Sequence, residues 1–87
     1  MKAEFTFYSD PSHGWAQIPH RFIYDLGIAG EISNYSYQDD NCAYLEEDCD
    51  LSLFMHKAHA KGWEITFKER TFNHDCAIRK YPRYTKG

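Results

Sequence analysis

The hydrophobic period of this chain changes at Gly62. Before it, Leu51, Phe54, Met55 and Ala58 fall at i, i+3, i+4 and i+7, the single apolar stripe of an α-helix. After it, Trp63, Ile65 and Phe67 alternate with Glu64, Thr66 and Lys68, the pattern of a strand with one buried face. A striped helix followed by a one-faced strand is suited to a fold in which helices are layered on a sheet. The spacing predicts a helix with Asp48 or Asp50 as N-cap, running to Lys61 and stopped by Gly62, then a strand over 63–70.

The rest of the chain supplies the other layers. Residues 3–8 alternate, with Phe5 and Phe7 on one side and Thr6 and Tyr8 on the other, and read as a strand. The turn formers from Ser9 to Gly14 follow, then a short extended segment over 15–18, which can form a hairpin with the first strand. Pro19 suits the first turn of a short helix over 19–26 with Phe22, Ile23 and Leu26 on one face. Gly27 is its C′ residue, and Ile28 folds back on the last turn. Tyr35–Tyr37 and Cys42–Leu45 flank the polar loop 38–41 and read as a β-hairpin. From Asn73 the pattern fades, leaving Ile78, Tyr81 and Tyr84 as the large apolar groups of an extended tail, read as a docked edge strand with its last few residues loose. The expected fold is one α+β domain over residues 1–87, with the tail at 73–87. Its order is β(β)αββαβ: a small antiparallel or mixed sheet with two helices on one face, a variant of the split β-α-β-β-α-β arrangement.

At 87 residues the chain buries only about 60–65% of the surface its unfolded form exposes, so much of its apolar content is needed to fold it. Seven Tyr, six Phe and two Trp are a high aromatic content, read first as large rings filling a small core and second as rings of a binding surface. The net charge of −3 is unevenly spread. Residues 39–50 hold Asp39, Asp40, Glu46, Glu47, Asp48 and Asp50 and no base, whereas residues 57–87 hold eight Lys and Arg against Glu64, Glu69 and Asp75. Such a balance argues against a dedicated DNA binder. Cys42, Cys49 and Cys76 are an odd number without C-x-x-C. The N-terminus carries no secretory-signal pattern, and no apolar run approaches the roughly 20 residues of a membrane span. The expectation is a cytoplasmic protein with reduced thiols and no membrane partner.

No catalytic or metal motif is present. His56 and His59 lie one turn apart, off the apolar stripe, without a third ligand at zinc spacing, and His74-Asp75-Cys76 is too tight for a usual site. The acidic block lacks the order and central glycine of a calcium loop, and Glu46 to Asp50 are explained by a helix N-terminus. Cys49 begins that helix, where the dipole lowers a thiol pKa, but the surrounding carboxylates raise it. Ser12-His13-Gly14 lacks the glycines and lysine of a phosphate loop. One positive cue remains: Lys68, Arg70, Arg79, Lys80, Arg83 and Lys86 are interleaved with Phe72, Tyr81 and Tyr84, as in single-strand binders.

Three segments taken together, Asp10-Pro11-Ser12-His13-Gly14-Trp15, Tyr44-Leu45-Glu46-Glu47-Asp48-Cys49-Asp50 and Arg79-Lys80-Tyr81-Pro82-Arg83-Tyr84, resemble small accessory proteins of tailed phages and prophages. Those carry a D-P-G-H-G-W start, a Y-L-E-E-D-C-D segment and an aromatic, basic C-terminus. The resemblance spans most of the chain, with Ser12 where that pattern has glycine, and implies an accessory phage gene without supplying an activity. The expectation is a non-catalytic protein, without cofactor or metal, that binds a host macromolecule such as a defence or gene-expression component. Its contact patch is expected at His13, Trp15, Tyr81, Arg83 and Tyr84. The alternative is a single-stranded nucleic-acid module using Lys68, Arg70, Phe72, Arg79 and Lys80. A homodimer through an unprotected sheet edge is a further expectation.

Overall fold

The computed structural model describes residues 1–86; Gly87, the end of the expected loose tail, lies outside the described residues. The sheet holds β1 (Lys2–Ser9), β2 (Gly14–Pro19), β3 (Tyr37–Gln38), β4 (Cys42–Glu46) and β5 (Glu64–Thr71) in the order β3-β4-β2-β1-β5. Among the described residues only the β1–β5 pair is parallel. α1 (His20–Asp25) joins β2 to β3, and α2 (Asp50–Ala60) joins β4 to β5. The expected α+β order is present. Without β1, the sheet reads β3-β4-β2-β5, the split β-α-β-β-α-β arrangement; the N-terminal strand is inserted between its first and last strands.

Strand alternation divides the side chains between two faces. Phe5 from β1, Ala16 and Ile18 from β2, and Ala43 and Leu45 from β4 join Ile23 of α1 and Phe54 and Ala58 of α2 in the main core, with Phe7 of β1 and Ile65 and Phe67 of β5 partly buried against it. Phe5 meets Phe22 and Phe54 edge-to-face, at centroid distances of 5.2 and 6.1 Å. Both helices end as the glycines predict. The Ile28 amide reaches back to the Ile23 carbonyl and that of Trp63 to Ala58, while Gly27 and Gly62 donate to Tyr24 and His59. This pair of bonds requires the left-handed conformation that Gly27 (φ 71°) and Gly62 (φ 79°) adopt.

Three expectations are corrected. Pro19 closes β2 instead of opening the helix, and α1 is only six residues long. Neither Asp48 nor Asp50 caps α2. Cys49 holds the N-cap position without a side-chain bond, and the Glu46 carboxylate accepts from the amides of Asp48 and Cys49 instead. Asp50 turns inward, where its buried carboxylate accepts from Ser33 and Ser36 and ties the α1–β3 connection to the start of α2. The tail is not an edge strand. After β5 it crosses the second face of the sheet, makes one 3-10 turn (Ala77–Lys80), and among the described residues contributes a single bridge, Arg83 to Tyr37.

Candidate functional site

The face of the sheet opposite the helices carries Tyr8, Trp15, Tyr37 and Tyr44 from four different strands. Left open, four rings would present an apolar patch unusual for a small chain. The tail closes over them as a strap. Cys76 and Ile78 are buried against Trp15, Tyr37 and Tyr44, with Phe72 and Tyr81 at the margin. The strap then passes the β3 edge, where the Gln38 amide donates to the Pro82 carbonyl at 2.9 Å and the Tyr84 amide to the Ser36 carbonyl at 2.8 Å. Tyr84 ends in the main core, and its hydroxyl donates to the Ala29 carbonyl at 2.8 Å.

One carboxylate fixes the strap to the β1–β2 connection. The Asp10 side chain is fully buried. Its Oδ1 accepts from the amides of Ser12 and His13, both at 3.0 Å, an Asx turn that shapes the loop locally. No residue other than glycine has a positive φ among the described residues, so Ser12 takes up the loop without backbone strain. Arg79 donates to both oxygens, Nε to Oδ2 at 2.6 Å and Nη2 to Oδ1 at 2.9 Å, and the Cys76 amide also reaches Oδ2 at 3.1 Å. Its guanidinium lies 5.2 Å over the Trp15 ring. Arg79 holds Asp10 far below the usual carboxylate range, because its bonds together with those of three amides outweigh the effect of burial. The same pair raises the Arg79 pKa.

Between the loop and the strap is a cleft of about 340 Å³, lined by His13, Trp15, Tyr35, Tyr37, Glu46, Asp48, Arg79 and Arg83. Trp15 and Tyr37 meet edge-to-face at 6.1 Å, and His13 stands 6.1 Å from Trp15. Arg83 covers Tyr37 at 4.7 Å and donates to the Asn34 carbonyl at 3.2 Å. Glu46 at the end of β4 and Asp48 in the turn before α2 bring negative charge. Tyr35 is 64% exposed, whereas Trp15 is 2% exposed.

His13, Trp15 and Arg83 of the expected contact patch are thus brought together. Trp15, expected in that patch, is buried by the strap because β2 points it at the second face. Tyr84, 4% exposed, is a core residue and offers no contact surface. Tyr81 lies in a neighbouring cavity, 5.1 Å edge-to-face with Tyr44. The set expected for nucleic acid is divided. Lys68 and Arg70 stand on exposed β5, Arg79 is taken up by Asp10, and Phe72 stacks on Tyr8 at 6.4 Å and borders the same cavity as Lys80 and Tyr81. Sequence reading missed Asp10, Tyr35 and Asp50. For Asp10 a signal existed, since Asp before Pro-Ser-His favours an Asx turn; its partner 69 positions away had none.

The neighbouring polar groups are structural. In Asp39, burial would raise the pKa, but the Tyr44 hydroxyl at 2.7 Å and the amides of Cys42 and Asn41 lower it below its usual value. Burial, and then donation to Asp39, raises the Tyr44 pKa. Cys42 is raised by burial and by the Asp39 charge, which opposes thiolate formation. Among the described residues no group of three or more His, Cys, Asp and Glu side chains is placed to share a metal ion, and no helix is long and apolar enough to cross a membrane.

The depressed carboxyls give stability a pH dependence of known sign. Unfolding releases Asp10 and Asp39 to ordinary carboxylates that bind a proton near pH 4, while the folded forms resist it. Their contribution is present above that range and is lost as the pH falls through and below it. Denaturant midpoints are expected to be flat from neutral to about pH 5 and to fall below that. Asp10→Asn is expected to show a shallower fall, by up to about 1.4 kcal/mol per pH unit. An equal slope in both proteins would mean that Asp10 is not held ionised.

No family model, no curated protein and no solved structure matches this chain.

Proposed function

We propose that this chain is a small non-catalytic binding protein that seats a segment of a partner protein in the cleft between the β1–β2 loop and the strap. The observation that carries the reading is Tyr35, a large ring left 64% exposed beside Trp15 and Tyr37, with Arg83 lying over the Tyr37 ring. Trp, Tyr and Arg are the residue types that dominate interface hot spots, and rings already held by packing lose little entropy on binding. The rim carries both signs, His13 and Arg83 against Glu46 and Asp48, which suits a peptide chain better than a polyanion. A cleft this small is the anchor of a larger patch, since a standard interface covers about 800 Å² on each partner. The resemblance to tailed-phage accessory proteins directs the search to host proteins of the bacterial cytoplasm, in defence or gene expression.

The test is affinity capture from bacterial lysate, with and without nuclease, comparing the natural chain with the double variant Tyr35→Ala/Arg83→Ala. Both side chains are exposed and outside the core, so the variant is expected to fold normally. A stoichiometric protein that survives nuclease and is lost from the variant is expected, with affinity lowered by about 100-fold (~2.7 kcal/mol). Equal capture by both proteins would remove the cleft from the interface. A second reading rests on Arg70, which is in register with Tyr8, whose ring stacks on Phe72. Recovery of nucleic acid alone, with binding to a single-stranded oligonucleotide that falls steeply with salt, would favour that reading.

A further inference from the structure

The two edges of the sheet differ. The chain covers β3 with its own strap, through the bonds of Gln38 and Tyr84. Among the described residues β5 pairs on one side only, with β1, over its whole length of eight residues. The Glu64 amide donates to Met1 and the Phe72 amide to Ser9, both at 2.8 Å. Main-chain groups alternate sides along a strand, so the even-numbered residues of β5 face β1. Ile65, Phe67 and Glu69 therefore turn their N–H and C=O groups to the open edge. Ile65 and Phe67, with Trp63 just before the strand, are also only half buried at the margin of the main core. An open edge of this length is a template for another strand.

The charges along the edge select which strand. We propose that β5 is a dimerisation edge, on which a second copy of this chain pairs antiparallel about a two-fold axis at Thr66. In that register Ile65 of each copy opposes Phe67 of the other, in hydrogen-bonded pairs that use the outward-turned amides. Glu64 of each copy opposes Lys68 of the other at the closer, non-hydrogen-bonded positions, where cross-strand side chains interact most. Moving the axis to Lys68 opposes like charges, and moving it to Phe67 sets Ile65 against Glu69. Because the other side of β5 is taken by β1, a pairing of β5 with β5 uses the open edge of both copies, and the two-fold arrangement closes after one pairing. Glu64 is free to exchange its present contact, a 3.6 Å pair with Lys2 in which both side chains are exposed.

Sedimentation equilibrium on the full chain, from micromolar to millimolar concentration, tests this with Glu64→Lys, Lys68→Glu and the double exchange. The natural chain is expected to form a dimer. Each single variant creates two like-charge pairs and is expected to weaken association by about tenfold. The double exchange restores opposite charges at both sites and is expected to recover it. Circular dichroism distinguishes lost association from lost folding. A natural chain that stays monomeric throughout, single variants that associate unchanged, or a double variant no tighter than the singles would each overturn the proposal.

Discussion

Replacing Arg79 with alanine is expected to destabilise the protein by about 3 kcal/mol, more than any other surface-reaching side chain described above. The change removes three things at once. Asp10 is left as a fully buried carboxylate with only amide donors. Trp15 loses the guanidinium 5.2 Å above its ring. The strap loses its covalently remote anchor on the β1–β2 loop. Arg79 keeps 28% of its side chain in solvent, which sets the estimate at the lower end of the range for broken buried pairs. For a domain of this size the midpoint of thermal unfolding would fall by about 12–24 °C. Arg79→Lys keeps the charge but not the two-pronged geometry, and an intermediate loss is expected. The Asp10→Ala/Arg79→Ala double variant is expected to cost less than the two single losses combined, because neither charge is then left unpaired. Additive losses would show that the pair is incidental.

Tyr84→Ala is expected to be comparably severe, at about 3–4 kcal/mol. Its ring, 4% exposed, is contributed to the main core by the far end of the chain, after the strap has passed the β3 edge. Removing it opens a cavity there and releases the segment that pairs with Ser36. Tyr84→Phe separates packing from hydrogen bonding: it keeps the ring and leaves only the Ala29 carbonyl without its donor, a loss of about 1–2 kcal/mol. Total stabilities of about 5–15 kcal/mol make Tyr84→Ala a near-threshold variant. Chemical denaturation of the two variants measures the difference. An alanine variant as stable as the phenylalanine one would mean that Tyr84 is not docked.

The layered fold was legible where one residue type answers to one local rule. The stripe from Leu51 to Ala58, the alternation from Trp63 to Phe67, and Gly27 and Gly62 as helix stops each follow from spacing or backbone sterics, and each is present. The tail was not legible, because its order comes from long-range contacts that leave no period. Ile78 and Tyr81 meet a sheet face built by four strands far from them in sequence, and Tyr84 enters the main core beyond the β3 edge. The same cause misplaced the charges. Arg79 looked like one base among several in a basic, aromatic tail, and nothing local marks it as the partner of Asp10. His13 and Arg83 were identified as surface groups and meet in one cleft, but Tyr35 was read as part of a hairpin strand and instead stands free before β3. Asp50 was read as a cap, since an acidic residue at a helix start satisfies that rule; Ser33 and Ser36 compete for it only once α1 and the loop after it are folded over β4.

Everything assigned to the cleft depends on the strap being docked in solution, since the strap supplies Arg79 and Arg83 and buries Trp15. Hydrogen exchange at the amides of Gln38, Cys76 and Tyr84, compared between the natural protein and Arg79→Ala, reads this directly. These amides bond respectively to Pro82, Asp10 and Ser36. The expected result is strong protection in the natural protein that is selectively reduced in Arg79→Ala, while the amides of central strands β1 and β2 keep most of theirs. Fast exchange of the three amides in the natural protein would contradict it: the strap would then be detached, the second face of the sheet open, and the cleft not a feature of the folded chain.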